Sequence, residues 1–136
     1  MASLPRLLTG KCLCGAVGYT VADEFTYAFN CHCSDCRRAT GSAFKPFAGI
    51  ERPKLSITHG QEHVLIFGNE SANHDVHCNV CGSLLHSVVD NGIRVHVTLG
   101  TLVDTPTIRP TAHIFVCDKA PWHEITDQLP QHAEYP

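Results

Sequence analysis

Apolar and polar positions alternate loosely along much of this chain, and a period of two predicts strands rather than helices. "GAVGYTV" (15–21), "AFKPFAGI" (43–50) and "KLSITH" (54–59) are rich in β-branched and aromatic residues, and "HVLIFG" (63–68) follows a turn at Gly60. "SLLHSVVDNGIRVHVTLG" (83–100) reads as a hairpin, with Asn91 and Gly92 supplying the turn between two apolar arms. "HIFVC" (113–117) is a last short strand. Helix has one good place to form, about a turn at "SDCRRAT" (34–40), with Ser34 as N-cap and Gly41 as terminator. Pro106, Pro110, Pro121 and Pro130 punctuate the last third, so the segment after Trp122 is expected to be docked and irregular. There is no internal repeat, low-complexity stretch or composition break. The expectation is one mainly β domain over residues 1–136, built from small antiparallel sheets with very little helix.

Composition narrows the function. The chain has 43% hydrophobic and 17% charged residues, an ordinary globular balance, and a formal net charge of −3. That charge argues against a general nucleic-acid binder, which needs a surplus of Lys and Arg. The ten histidines run from His32 to His132 without forming a metal-binding tract. "MASLPRLLTG" lacks the apolar run of a signal peptide, and no stretch approaches the ~20 apolar residues of a membrane span. A cytoplasmic protein with no membrane partner is therefore expected. In a reducing compartment, eight clustered cysteines point to metal or catalysis, and a disulfide framework is the lesser alternative.

The cysteines fall into groups: Cys12 and Cys14, then Cys31, Cys33 and Cys36, then Cys78 and Cys81, with Cys117 alone. Two pairs make four, and Cys12, Cys14, Cys78 and Cys81 could close a tetrahedral four-thiolate site, the usual form of structural zinc. Both pairs run directly into glycine, which lets the backbone turn its N–H groups toward the thiolates. The bland alternative is four buried cysteines. Three thiolates in "CHCSDC" select zinc among common ions, and three protein ligands with one open position is how catalytic zinc is commonly built. The alternative there is a closed second site completed by His32 or by a histidine from elsewhere in the chain.

"GKCLCGAVGY", "NCHCSDCRRATGSAF", "HCNVCGSLL", "VTLGTLVD" and "HIFVCDKAPW", in this order, resemble the glutathione-dependent formaldehyde-activating enzyme family, to which centromere protein V-type domains also belong. The resemblance runs from about residue 9 to the closing "DQLPQHAEYP". It implies a β-tent pinned by two zinc ions. The structural ion falls to Cys12, Cys14, Cys78 and Cys81, and the catalytic ion to Cys31, Cys33 and Cys36. It implies a carbon–sulfur lyase that joins glutathione to formaldehyde as S-(hydroxymethyl)glutathione, with a thiol and a small carbonyl as partners. A substrate thiolate on such a zinc leaves a −2 cluster, and Arg37 and Arg38 are the expected compensating and substrate-binding charges.

Three features depart from the family pattern: His77 and "GNESANHD" (68–75) replace an aromatic residue and a Ser-Ser element, and Cys117 stands where serine is common. They leave both cysteine groups intact and bear on the substrate. Another family substrate, a binding module with two structural zincs, and a redox enzyme using Cys117 are the competing readings.

Overall fold

The computed structural model describes residues 6–136. Residues 1–5, and with them the first half of "MASLPRLLTG", lie outside the described part.

Among the described residues, ten strands and one α-helix make a mainly β molecule with two sheets. In chain order the strands are β1 (Leu7–Lys11), β2 (Gly18–Ala22), β3 (Tyr27–Cys31), β4 (Lys45–Glu51) and β5 (Leu55–His59), then β6 (Val64–Gly68), β7 (His74–Cys78), β8 (Leu84–Val89), β9 (Arg94–Thr98) and β10 (His113–Ile114). The smaller sheet has the order β1-β2-β5, and the larger has the order β10-β3-β4-β9-β8-β7-β6. Every neighbouring pair is antiparallel except β10 with β3, which is parallel. The expectation of antiparallel sheets fails only at that edge.

The two faces of the large sheet have different neighbours, and this asymmetry creates the site. Ala28, Ala48, Ile50, Val95, Val97 and Val88 point to one face and are all buried. That face packs on Leu8, Tyr19 and Val21 of the small sheet to form the main core. Side chains alternate along a strand, so the opposite face carries the intervening positions: Tyr27, Phe29 and Cys31, Lys45 and Phe47, His96 and Arg94. This second face is half-buried and bears the polar and reactive groups.

Strands β1, β3 and β7 carry no clear sequence signal, because each is short and mixed in character. The 83–100 hairpin forms, with Val89 paired to Arg94 and a four-residue loop between them. Its turn places Asp90, Asn91 and Gly92 all at positive φ (54°, 57° and 92°), and Asp and Asn tolerate that region better than other residues with a Cβ.

Two local expectations need correction. The N-cap of helix α1 (Ser34–Thr40) is Cys33, whose sulfur accepts from the Cys36 N–H at 3.3 Å; Ser34 is already helical. Gly41 terminates the helix at φ 63° as expected. The strand at "HIFVC" ends after Ile114, because Phe115 turns to φ 54°. The tail after Trp122 is docked and irregular: the His113 N–H donates to the Pro130 carbonyl, and the His132 N–H to the His113 carbonyl.

Candidate metal and active site

The four-cysteine group draws on distant segments. Cys12 and Cys14 follow β1, Cys78 ends β7, and Cys81 lies in the turn before β8. The four sulfurs lie within 4.8 Å of one another. Cys12 Sγ to Cys14 Sγ is 3.7 Å and Cys14 Sγ to Cys78 Sγ is 3.8 Å. A tetrahedral zinc with ~2.3 Å bonds separates its sulfurs by about 3.8 Å, so the spacing fits that ion.

Gly15 and Gly82 adopt the same φ of 81°, and their N–H groups reach back to the Cys12 and Cys78 carbonyls. The tight turns present the Val17 N–H to Cys12 Sγ (3.3 Å) and the Val80 N–H to Cys78 Sγ (3.4 Å). The Ser83 hydroxyl lies 3.2 Å from Cys81 Sγ and is the leading cause of that thiol's pKa falling to about 5.

The three-cysteine group is local. Cys31 ends β3, Cys33 caps α1 and Cys36 lies on its first turn, with the sulfurs within 4.8 Å of one another. Hydrogen bonds from Cys31 and Cys36 hold the Cys33 thiol far below its ordinary value, contact with Cys33 pushes Cys31 up, and contacts with Cys31 and then Cys33 push Cys36 up. Three sulfurs this close share protons and favour one thiolate among them. Three thiolates together require a cation, and an all-sulfur set selects zinc.

Among the described residues no histidine or carboxylate joins this group. The alternative in which His32 closes it meets a specific obstacle. His32 is fully buried, and its Nε2 lies 2.8 Å from His113 Nδ1, while His113 Nε2 lies 2.9 Å from an Asp127 carboxylate oxygen. Nε2 is committed to a chain that ties the three-cysteine loop to the tail, Nδ1 is buried without a hydrogen-bond partner among the described residues, and neither nitrogen joins the cysteine group.

The cysteines face a cavity of about 710 Å³ on the second face of the large sheet. Tyr27, Phe47, His96 and Phe115 supply apolar and aromatic walls, and Lys45 and Arg94 are its two cations. Sequence reasoning misses Lys45. It is 5% exposed, stands opposite Cys31 in the β3–β4 register, and donates from Nζ to Ser87 Oγ at 2.8 Å. Ser87 in turn donates to Asp75 at 2.6 Å. Burial pulls the ammonium below the usual lysine value, against the opposing pull of Cys36, Asp75, Cys31 and Cys33. The only signal in the sequence is a lysine inside the apolar strand "AFKPFAGI", which alternation alone leaves unexplained.

Arg37 and Arg38 do not line this cavity. Arg37, four residues after Cys33, stays on the helix face of Cys33 and Cys36, and its Nε is buried without a hydrogen-bond partner among the described residues, but its side chain is not among those lining the cavity. Arg38 lines a different groove, with Asp35, Phe67, Asp75 and His77. Cys117 is exposed, and desolvation followed by Asp118 and Glu134 pushes its thiol up, the reverse of what a nucleophile needs. No helix is long and apolar enough to cross a membrane among the described residues.

Comparison with known proteins agrees with this geometry. The family model described as "Glutathione-dependent formaldehyde-activating enzyme" matches residues 7–118. A protein of Halomonas elongata that carries the same designation provisionally is 29% identical over 127 residues, covering 88% of this chain and 81% of its own. A crystal structure of a Rhodobacter sphaeroides protein superposes with a TM-score of 0.60 at 25% identity, over 74% of this chain and 92% of its own. The match spans both cysteine groups and the strands that carry them, and the chain belongs to the glutathione-dependent formaldehyde-activating enzyme family.

Proposed function

We propose that the protein is a zinc-dependent carbon–sulfur lyase-type enzyme that joins a thiol to a small carbonyl, or cleaves the adduct, at Cys31, Cys33 and Cys36. Glutathione and formaldehyde are the substrates that the family description suggests. The observation that carries this reading is the convergence of three sulfurs on one wall of a cavity, with no fourth protein donor within reach among the described residues. Cys12, Cys14, Cys78 and Cys81 would hold a second, structural zinc, giving two per chain.

In the forward direction, R–SH and H₂C=O give R–S–CH₂–OH. A carbon–sulfur bond forms, the carbonyl π bond opens onto oxygen, and the proton lost by the thiol is matched by one gained on that oxygen. A zinc bound by the three cysteines supplies Lewis acidity that lowers the pKa of an incoming thiol.

The rest falls to the chain's own residues. Lys45 places a buried positive charge beside the thiolates, and it takes over the compensating role expected of Arg37 and Arg38. Ser87 and Asp75 hold its ammonium in place. Phe47, stacked on His96 with ring centroids 4.2 Å apart, gives an apolar wall that keeps bulk water from the carbonyl.

The test compares zinc-loaded wild type with Cys33→Ser for consumption of glutathione and formaldehyde, with zinc counted in both. Turnover and two zincs in wild type, against one zinc and no turnover in a folded variant, support the proposal. Two retained zincs with unchanged turnover in Cys33→Ser would sink it.

A further inference from the structure

The end of the cavity remote from the cysteines has its own chemistry. Arg94 lies there, with its Cζ 5.3 Å from the centre of the Tyr27 ring and Nη2 donating to Thr26 Oγ1 at 2.6 Å. Its Nε is buried without a hydrogen-bond partner, and the side chain forms no ion pair among the described residues. Glu51, opposite Arg94 in register, feels the guanidinium's charge but has its ion pair with Lys54, at 3.3 Å. A guanidinium held by stacking and one hydroxyl, with donors to spare, is built to receive an anion.

We propose that Arg94 receives a carboxylate of the thiol substrate, so that the cavity selects thiols carrying a carboxylate at a set distance from sulfur. The inference rests on the reading of the three-cysteine group as the thiol site.

The distance follows from strand register. Lys45 stands opposite Cys31, and Tyr27 stands opposite Gly49. The Tyr27 ring lies directly over Gly49, where a Cβ would come within 2.1 Å of the tyrosine Cζ. The guanidinium above that ring is thus about four residues along β4 from the cysteine level, roughly 13 Å at ~3.3 Å per residue. Extended glutathione places its carboxylates about 8–10 Å from sulfur. A zinc–sulfur bond of ~2.3 Å and a charged hydrogen bond of ~2.8 Å bring that span close to the same length.

Of the cavity's two cations, Arg94 is the one remote from the cysteines. The other charged groups lining the cavity are Asp35, Asp90, Asp118 and Lys45. The three carboxylates repel an anion and suit the ammonium of a zwitterionic thiol. Lys45 is engaged by Ser87 at the cysteine end.

The experiment is calorimetric titration of the zinc-loaded protein with glutathione and, separately, with 2-mercaptoethanol. It uses wild type, Arg94→Gln and Arg94→Lys, with zinc content and melting temperature read in parallel. Arg94→Gln is expected to raise the glutathione dissociation constant roughly ten- to a hundredfold, the loss of a charged hydrogen-bond pair. Arg94→Lys keeps the stacking but not the fork, and should fall between. 2-Mercaptoethanol should bind all three alike. Should Arg94→Gln fail to fold, a several-fold loss confined to glutathione in Arg94→Lys supports the assignment equally.

Unchanged glutathione affinity, or equal weakening of both thiols, overturns the assignment of Arg94 while leaving the thiol site standing. A wild type that binds neither thiol overturns both.

Discussion

Lys45 is the residue on which the electrostatics of the site turn. Three thiolates on a dication carry −1, a bound substrate thiolate makes −2, and one buried ammonium beside them stabilises that state. Replacing it with a neutral residue of similar shape should therefore act on thiol binding more than on metal binding. Lys45→Met is expected to weaken glutathione binding tenfold or more, about 1.4 kcal/mol, with the zinc count unchanged. The same titration on Arg38→Ala should give wild-type affinity, because Arg38 faces another groove. Wild-type affinity in Lys45→Met would remove the lysine from the site.

The sequence could not reveal Lys45, since nothing in "AFKPFAGI" tells which strand lies alongside. It did reveal all seven grouped cysteines, because each pair and the triplet are closely spaced and two pairs count to four ligands. Arg37 and Arg38 stand outside the cavity lining for a related reason: adjacency in sequence to Cys36 does not decide which cavity a side chain lines.

At the scale of elements the two cysteine groups are placed differently. The four-cysteine group links β1, the end of β7 and the turn before β8, segments more than sixty residues apart in sequence, so a metal there closes a large loop. The three-cysteine group spans one strand end and one helical turn. Cys78→Ser is expected to unfold the protein or lower its melting temperature severely, since structural zinc contributes on the order of 10 kcal/mol in small domains. Cys36→Ser should lose one zinc and keep most of its β signal by circular dichroism. Global unfolding of Cys36→Ser, or an unchanged melting temperature in Cys78→Ser, would reverse the assignment.

The helix and the hairpin were legible because glycine and the αL-tolerant Asp and Asn mark their ends. Strands β3 and β7 were not: "YAFNC" and "HDVHC" mix apolar, histidine and cysteine positions, and only the sheets on either side show that they are strands. The parallel β10 pairing was likewise illegible, since two residues of strand leave no periodicity to read.

For the whole molecule, burial of histidines on both sides of the large sheet predicts acid sensitivity. Burial holds His86 near a pKa of about 4, and burial with Lys45 and Arg94 holds His96 near about 3. In the unfolded chain both protonate near their ordinary 6.5. Between those values the unfolded state binds more protons, so stability is full above about pH 6.5 and falls as pH drops toward 4. Denaturant titrations across this range should show a shallower fall in His96→Gln than in wild type; parallel slopes would exclude the histidine.

The central claim is that one metal site is closed and the other is completed by a substrate sulfur. Cadmium-113 NMR of the cadmium-substituted protein tests it most directly, because the shift reports the number of sulfur ligands at each site. Two resonances are expected, one in the four-sulfur region and one displaced from it. Added glutathione should move the displaced resonance toward the four-sulfur position and leave the other still. Two resonances that both ignore glutathione, or a single kind of site from the outset, would contradict the account.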